Sequence, residues 1–364
     1  MLVNDRNILI WFNYLGSINF AKIQQIESYF GSLQEFWKAN DKHIHTVFKK
    51  QSIIAQKIQK NRNNTYLNNI IESITNKDFK TITILDEGYP EKLKQIDDPP
   101  YVIYIKGEKY KYDKPLISIV GSRKATPYGN WAAYKFAKEL AELDIIVASG
   151  LASGIDASAH RGCLDGEGFT VAVLGCGIDQ CYPASNKGLM NRVLKSGVVL
   201  TEYPPGTLPL KHHFPARNRI ISGLSDGIVI IEAAKKSGSL ITAEFGLEQG
   251  KEIYALPGNI NNTSSEGTNK LIKDGAKILL SAEDITEELS IKYDLRNNKT
   301  SKDKVDLSPL ELNVLNTIKS KPIHIDMLCY ETEMNISELN TLLTILQLKG
   351  YISQLPGKVF TAVK

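Results

Sequence analysis

The chain has 364 residues, 42% hydrophobic and 23% charged, a composition that excludes a disordered or fibrous protein and supplies core for two to three domains. Its net charge is only +4, from 44 Lys and Arg against 40 Asp and Glu, so any anion-binding surface must come from local clustering. Four cysteines without a CxxC pair (Cys163, Cys176, Cys181, Cys329) predict a reduced, cytoplasmic protein, and no apolar run approaches the ~18 residues of a membrane span or forms a leader segment.

Residues 1–75 read as a helical, basic domain, with nine Lys and Arg against five acids. Ile8, Trp11, Phe12 and Leu15 make an i, i+3, i+4, i+7 stripe. Leu15-Gly16-Ser17-Ile18 breaks that helix, Ser17 or Asn19 can cap the next, and Phe30-Gly31-Ser32 ends it. The pattern resembles a helix-hairpin-helix or SAM-like module, whose hairpin amides can meet DNA phosphates. Its hairpin lacks a second glycine, so a small bundle with a solvated basic face is the simpler reading. Residues 80–107 alternate like short strands around the Asp86-Glu87-Gly88-Tyr89-Pro90 turn and predict an extension on the edge of the next sheet.

From Pro115 the period changes. LISIVG (116–121), IIVASG (145–150), TVAVLG (170–175), VVLTEY (198–203), GIVIIE (227–232) and EIYALPG (252–258) are continuous apolar runs, several separated by helical patterns. Such runs are buried on both faces, which predicts a doubly wound α/β domain with a parallel sheet over residues 76–286. Residues 287–305 are polar and read as a linker. Residues 306–364 predict a winged-helix domain: a helix opening on Ser308-Pro309, a second over 325–332, a third from Ser337 to Gly350, and a hairpin about Pro356-Gly357. This tail carries five Lys against six acids, and its presumed recognition helix holds only Lys349, at the far end. A DNA-reading helix presents cations to phosphates, so a structural or protein-contact role suits this one better.

In an open α/β sheet, ligands bind beyond the carboxyl ends of the strands. Those ends carry Gly121, Ser122, Arg123 and Lys124; then the glycine-rich 150–154 with Asp156 and His160; then Tyr182, Asn186 and Lys187; then Lys211, Phe214, Arg217, Asn218 and Arg219; then Lys235, Lys236, Ser237 and Gly238. Five consecutive loops gather cations, aromatics or glycine-freed amides on one edge, which suits an extended polyanion better than a mononucleotide. Plainer readings compete. Arg123 could pair internally with Glu202. Arg217 and Arg219 are two apart and cannot share a helix face, so one is expected on ligand and the other in an ion pair. His160 reads as a capping or core histidine, and His212-His213 lacks metal-site partners. There is no GxGxxG, no GxxxxGK[ST] and no nucleophile–base–orienter set, so neither a catalytic residue, a metal nor a cofactor is expected.

Five motifs carry a resemblance: VGSRKATPYG (120–129), SGLASGIDASAH (149–160), AVLGCGIDQCYPASN (172–186), FPARNRIISGLSDGIVIIEAAKKSGSLITA (214–243) and ALPGNINNTSSEGTNKLIKDGA (255–276). In order and spacing they resemble the DNA-processing protein A family (DprA, also called Smf). The resemblance implies an extended Rossmann-like domain without catalytic activity that binds single-stranded DNA, forms a homodimer and loads the RecA recombinase during natural transformation. By position it implies phosphate contacts from Arg123 and Lys211 and a base stack on Phe214. Close backbone approach follows at Gly121 and Gly238, with Arg217 lining the groove and Lys187 as a further cation. Dimerisation is implied near Gly267 to Leu280, with Leu271 and Ile272 as apolar contacts. The competing reading is a nucleotide-binding or phosphoribohydrolase-like enzyme of the lysine-decarboxylase-like Rossmann superfamily. It would use Glu244 as its acid, but the PGGxGTxxE glycine run is replaced here by KKSGSLITAE.

Overall fold

The apolar runs become strands in the computed structural model, which describes residues 3–16, 18–48, 53–109, 113–293, 308–320, 322–349, 351–355 and 357–362. In chain order they are Lys80–Thr83 (β1), Val102–Gly107 (β2), Leu116–Val120 (β3), Ile146–Ser149 (β4), Thr170–Val173 (β5), Gly197–Thr201 (β6), Gly227–Ile230 (β7), Glu252–Ala255 (β8) and Lys277–Ile278 (β9). The sheet order is β1-β2-β6-β5-β4-β3-β7-β8-β9. All pairings from β6 to β9 are parallel, whereas β1 and β2 add as an antiparallel edge, as the alternation of residues 80–107 predicts.

The winding follows from burial on both faces. Along β3, Ile117 and Ile119 pack with Ala132, Phe136 and Ile155 of the helices Pro127–Glu142 and Ile155–Asp165. Leu116 and Val120 face the other way, onto Ile220, Ile221 and Leu224 of the helix His213–Leu224. The chain runs from β3 outward to β6, then returns to the opposite side of β3 as β7, in the register Val120↔Ile230. That reversal opens a crevice beyond the carboxyl ends of β3 and β7, where doubly wound sheets hold ligands.

The N-terminal helices pack on the sheet. Trp11, Phe12 and Phe36 share one core with Tyr101, Tyr104, Leu174 and Val199. Polar ties reinforce it: Tyr104 Oη donates to Asn13 Oδ1 (2.9 Å), Asn13 Nδ2 to the Glu202 carbonyl (3.0 Å), and Arg6 Nε to Asp86 (3.1 Å). Gly16 and Gly31 take positive φ (68° and 86°) at the two helix ends. Asn19 caps the second helix through the Lys22 amide; Ser17, the other candidate, lies outside the described residues. Several bases of this module serve its own carbonyls: Lys22 that of Val47, Lys57 that of Leu15, Arg62 that of Phe36.

Residues Met1–Asn298 form one compact unit and Lys299–Lys364 another. The expected linker, 287–305, overlaps a helix: Glu283–Lys292 is helical and the Tyr293 hydroxyl reaches Asp226 (3.1 Å), while 294–307 lie outside the described residues. The second unit has helices Pro309–Ser320, Ile325–Thr332 and Ile336–Leu348, and strands Ile323–His324 (β10), Ile352–Leu355 (β11) and Val359–Ala362 (β12) in the order β10-β12-β11, a winged helix. Ser308 and Glu311 form a reciprocal capping box, and Asn335, rather than Ser337, caps the third helix. Gly350 and Pro356 lie outside the described residues. Lys349 pairs with Glu311 (2.6 Å), so the only cation of the presumed recognition helix is engaged within the unit. Among the described residues no helix is long and apolar enough to cross a membrane.

Candidate nucleic-acid interface

The crevice beyond β3 and β7 is a cleft of about 530 Å³; three loops carry most of its wall, and the segments after β4 and β5 add Ala152, Asp156 and Tyr182. The loop after β3 is held from both sides. The Ser122 amide donates to the Glu232 carbonyl (2.8 Å), and the Ile155 amide donates to the Ser122 carbonyl (3.2 Å). A Cβ at Gly154 (φ 76°) would fall 2.3 Å from that same carbonyl, and one at Gly121 would fall 2.7 Å from Ile155. Glu232, at the end of β7, is 3% exposed; its carboxylate accepts from the Thr126 amide (2.9 Å) and hydroxyl, clamping the far end of the loop. Arg123 and Lys124 are thereby held out at the exposed rim.

The second loop leads from β6 into the helix His213–Leu224, which delivers Phe214, Arg217 and Asn218. Phe214 is half-buried. The Arg123 guanidinium lies 4.9 Å from its ring centroid, and the Tyr182 ring 5.3 Å away at 41°. Gly175 lies against it; a Cβ there would come within 3.0 Å of the ring. Lys211 lines the cleft and is exposed. The third loop ends in Ser237, which caps the helix Gly238–Glu248 and turns its amino end toward the cleft. No protein atom lies within 4 Å of a Cβ at Gly238, and its φ is not positive. The absent side chain there leaves open space at the helix start rather than relieving a clash.

Beneath these groups Arg217 is 3% exposed. Its Nη1 donates to the Gly150 carbonyl (2.9 Å) and to that of Val173, while Nε has no protein partner. Asp156 accepts from the Gly150 (3.1 Å) and Ala152 (3.4 Å) amides. Burial draws Arg217 down to about 10, so it stays charged at neutral pH, and burial pushes the Asp156 carboxyl up against the pull of Arg217. The floor of the cleft is thus an Arg217–Asp156 pair whose charges offset each other, and the exposed cations lie at the rim.

The structure thus brings together Gly121, Ser122, Arg123, Lys211, Phe214, Arg217, Asn218, Ser237 and Gly238, all on the cleft wall. It sets Arg219 and Lys187 outside that wall. Arg219 pairs with Glu202 (2.5 Å) and Asp98 (3.3 Å) in a second pocket against the N-terminal helices, so the Glu202 pairing weighed for Arg123 belongs to Arg219. Lys187 is exposed at the start of its own helix. His160 is a core residue with Nδ1 2.8 Å from Thr170 Oγ1, and burial pushes it down to about 3. His213 stacks on Tyr203 (4.1 Å), and among the described residues no three His, Cys, Asp or Glu side chains gather as metal ligands. Glu244 is exposed and off the cleft wall. Leu271 and Ile272 are half-buried on the helix Glu266–Lys273, Leu271 against the core. Tyr182, gathered by the strand-end rule but given no role from the sequence, lines the cleft beside Phe214.

Comparisons with known proteins agree in the sheet and the tail. The family model described as DNA recombination-mediator protein A matches residues 80–290, and that of the DprA winged helix domain matches 298–358. DNA processing protein DprA of Bacillus subtilis is 39% identical over 265 residues, covering 71% of this chain and 89% of that one. The crystal structure of DNA processing protein A from Streptococcus pneumoniae superposes with a TM-score of 0.68 at 33% identity, over 79% of this chain and 99% of that one. A Helicobacter pylori counterpart, described for its single-stranded DNA binding mode, superposes with a TM-score of 0.54 at 30% identity, over 60% of this chain and 98% of that one.

Proposed function

The chain belongs to the DNA recombination-mediator protein A family, and from that premise we propose that it binds single-stranded DNA in the cleft beyond β3 and β7 without cutting or joining it. The observation that carries the reading is the Arg123–Phe214 pair, a guanidinium 4.9 Å from an aromatic centroid at the mouth of a cleft also lined by Lys211. A base stacks on the ring while flanking phosphates meet Arg123, Lys211 and the amides at the start of the helix Gly238–Glu248. Stacking and phosphate contact are indifferent to sequence, so the protein takes any single strand. A duplex keeps its bases stacked inside and cannot offer one to Phe214. The buried groups at the floor, Asp156 and Arg217, are engaged with backbone, so the reading asks no bond chemistry of them.

Binding of fluorescent oligo-dT, against duplex of equal length and across a salt series, tests this. Tight, steeply salt-dependent binding to the single strand is expected; equal affinity for duplex sinks the reading. We place the protein further as a homodimer that loads a RecA-type recombinase during natural transformation or homologous recombination. A strand held by a few loops at one sheet edge leaves its outward side open to a second protein. Faster recombinase assembly on strands coated with single-strand-binding protein is the matching assay, and an unchanged lag removes that step.

A further inference from the structure

The helix Pro127–Glu142 starts at the sheet edge that carries Arg123 and Lys124, after the six-residue loop 121–126. Its first turns expose two aromatics. Tyr128 and Trp131, three apart on one face, are 52% and 55% exposed, with ring centroids 5.8 Å apart and planes at 28°. Lys135 Nζ lies 5.5 Å from the Trp131 ring centroid. The opposite face of the helix, through Ala132, Ala133, Phe136 and Leu140, enters the core, so the exposed pair is not what holds the helix down. Single exposed aromatics need no explanation. Two flat, nearly parallel rings beside an ammonium, directly after Arg123 and Lys124, repeat the chemistry of Tyr182, Phe214 and Arg123 in the cleft.

We propose that Tyr128 and Trp131 are a second base-stacking platform, on which single-stranded DNA leaving the cleft past Arg123 and Lys124 continues along the helix. The proposal rests on the single-strand reading of the cleft. Continuity with the cleft argues for this occupant: Tyr128 lies five positions after Arg123, a reach of about 18 Å at most, which a single strand crosses in a few nucleotides. Charge argues the same way. Arg123 and Lys124 lead onto the platform and Lys135 stands beside it, whereas further along Lys135 pairs with Glu139 (3.6 Å) and Lys138 with Glu142 (3.8 Å), so the helix beyond offers a polyanion no net positive charge.

The test is fluorescence titration of the full chain with dT20. Of its three tryptophans Trp11 is buried and Trp37 half-buried, whereas Trp131 is 55% exposed, and Trp131→Phe separates its signal from theirs. Quenching by dT20 is expected in wild type. Trp131→Ala should lose about five-fold or more in dT20 affinity with an unchanged circular dichroism spectrum, and Trp131→Phe should keep the affinity but lose the quench. Wild-type affinity in Trp131→Ala, or a quench that persists in Trp131→Phe, overturns the platform while leaving the cleft intact. A change in oligomeric state without a change in dT20 affinity also overturns it, making the pair a contact between copies. Wild type that does not bind dT20 overturns the single-strand reading itself.

Discussion

Phe214 is half-buried, with Gly175 against the ring, the Arg123 guanidinium over it and the Tyr182 ring tilted beside it. Phe214→Ala should cost about 1–3 kcal/mol of single-strand affinity, the usual worth of a base–aromatic stack. A loss no larger than that of a distant surface variant would make Phe214 a packing residue. Arg123→Ala and Lys211→Ala should each weaken binding and flatten the slope of log K against log salt by about 0.7, one phosphate each. A weaker affinity with an unchanged slope would mean the side chain does not meet a phosphate. His160 supplies a prediction about stability instead. Burial holds it neutral in the fold, with its pKa down at about 3 from 6.5, so the unfolded chain binds the extra proton. Its contribution is therefore whole above pH 6.5 and is lost as pH falls from there toward 3. In urea unfolding, the advantage of wild type over His160→Gln should shrink by about 1.4 kcal/mol per pH unit across that window. An advantage that does not change with pH would contradict a neutral buried imidazole.

At the scale of elements, the cleft is a matter of how three loops are pinned. Glu232 ends one strand and clamps the loop that leaves its neighbour, through the Thr126 amide and hydroxyl. Gly129 leaves room for that carboxylate, since a Cβ there would fall 2.4 Å from it. Glu232→Ala strands two donors in a buried place and should lower stability by about 1–3 kcal/mol. Because the same loop presents Arg123, single-strand affinity should fall several-fold as well, although Glu232 does not line the cleft. A stability loss with unchanged affinity would show that the packing at Gly121 and Gly154 fixes the loop alone. The strands and their glycine ends were legible from the sequence, because a strand covered on both faces has to be apolar throughout. The clamp was not, because Glu232 and Thr126 are 106 residues apart and only the β3–β7 adjacency joins them.

At the scale of the whole molecule, the charge is divided unevenly. The winged unit has a presumed recognition helix free of Lys and Arg from 336 to 348, and Lys349 is paired with Glu311. The cleft lies wholly in the unit Met1–Asn298. A chain ending at Asn298 should keep its affinity for oligo-dT within about three-fold of the full chain, since every cation and ring assigned to the strand is retained. A ten-fold loss would assign part of the binding surface to the winged unit. The N-terminal helices belong to the first unit through a shared core, and several of their bases are engaged within it. Lys22, Lys57 and Arg62 serve carbonyls that helix ends leave open, a use of positive charge that composition cannot tell from a DNA-binding face.

By itself the sequence determined the order of strands and helices, the parallel sheet, and the edge on which cations and aromatics collect, because apolar period and loop composition are local properties of the chain. Which arginine does what was decided only in three dimensions. Arg217 and Arg219 sit two apart on one helix and so face different neighbours. Arg217 turns into the sheet and meets Gly150 and Val173, whereas Arg219 turns to Glu202 and Asp98 beside the N-terminal helices. Those partners come from strand ends and a loop distant in sequence, and a charge's partner is fixed by distance in space, which only the folded sheet sets.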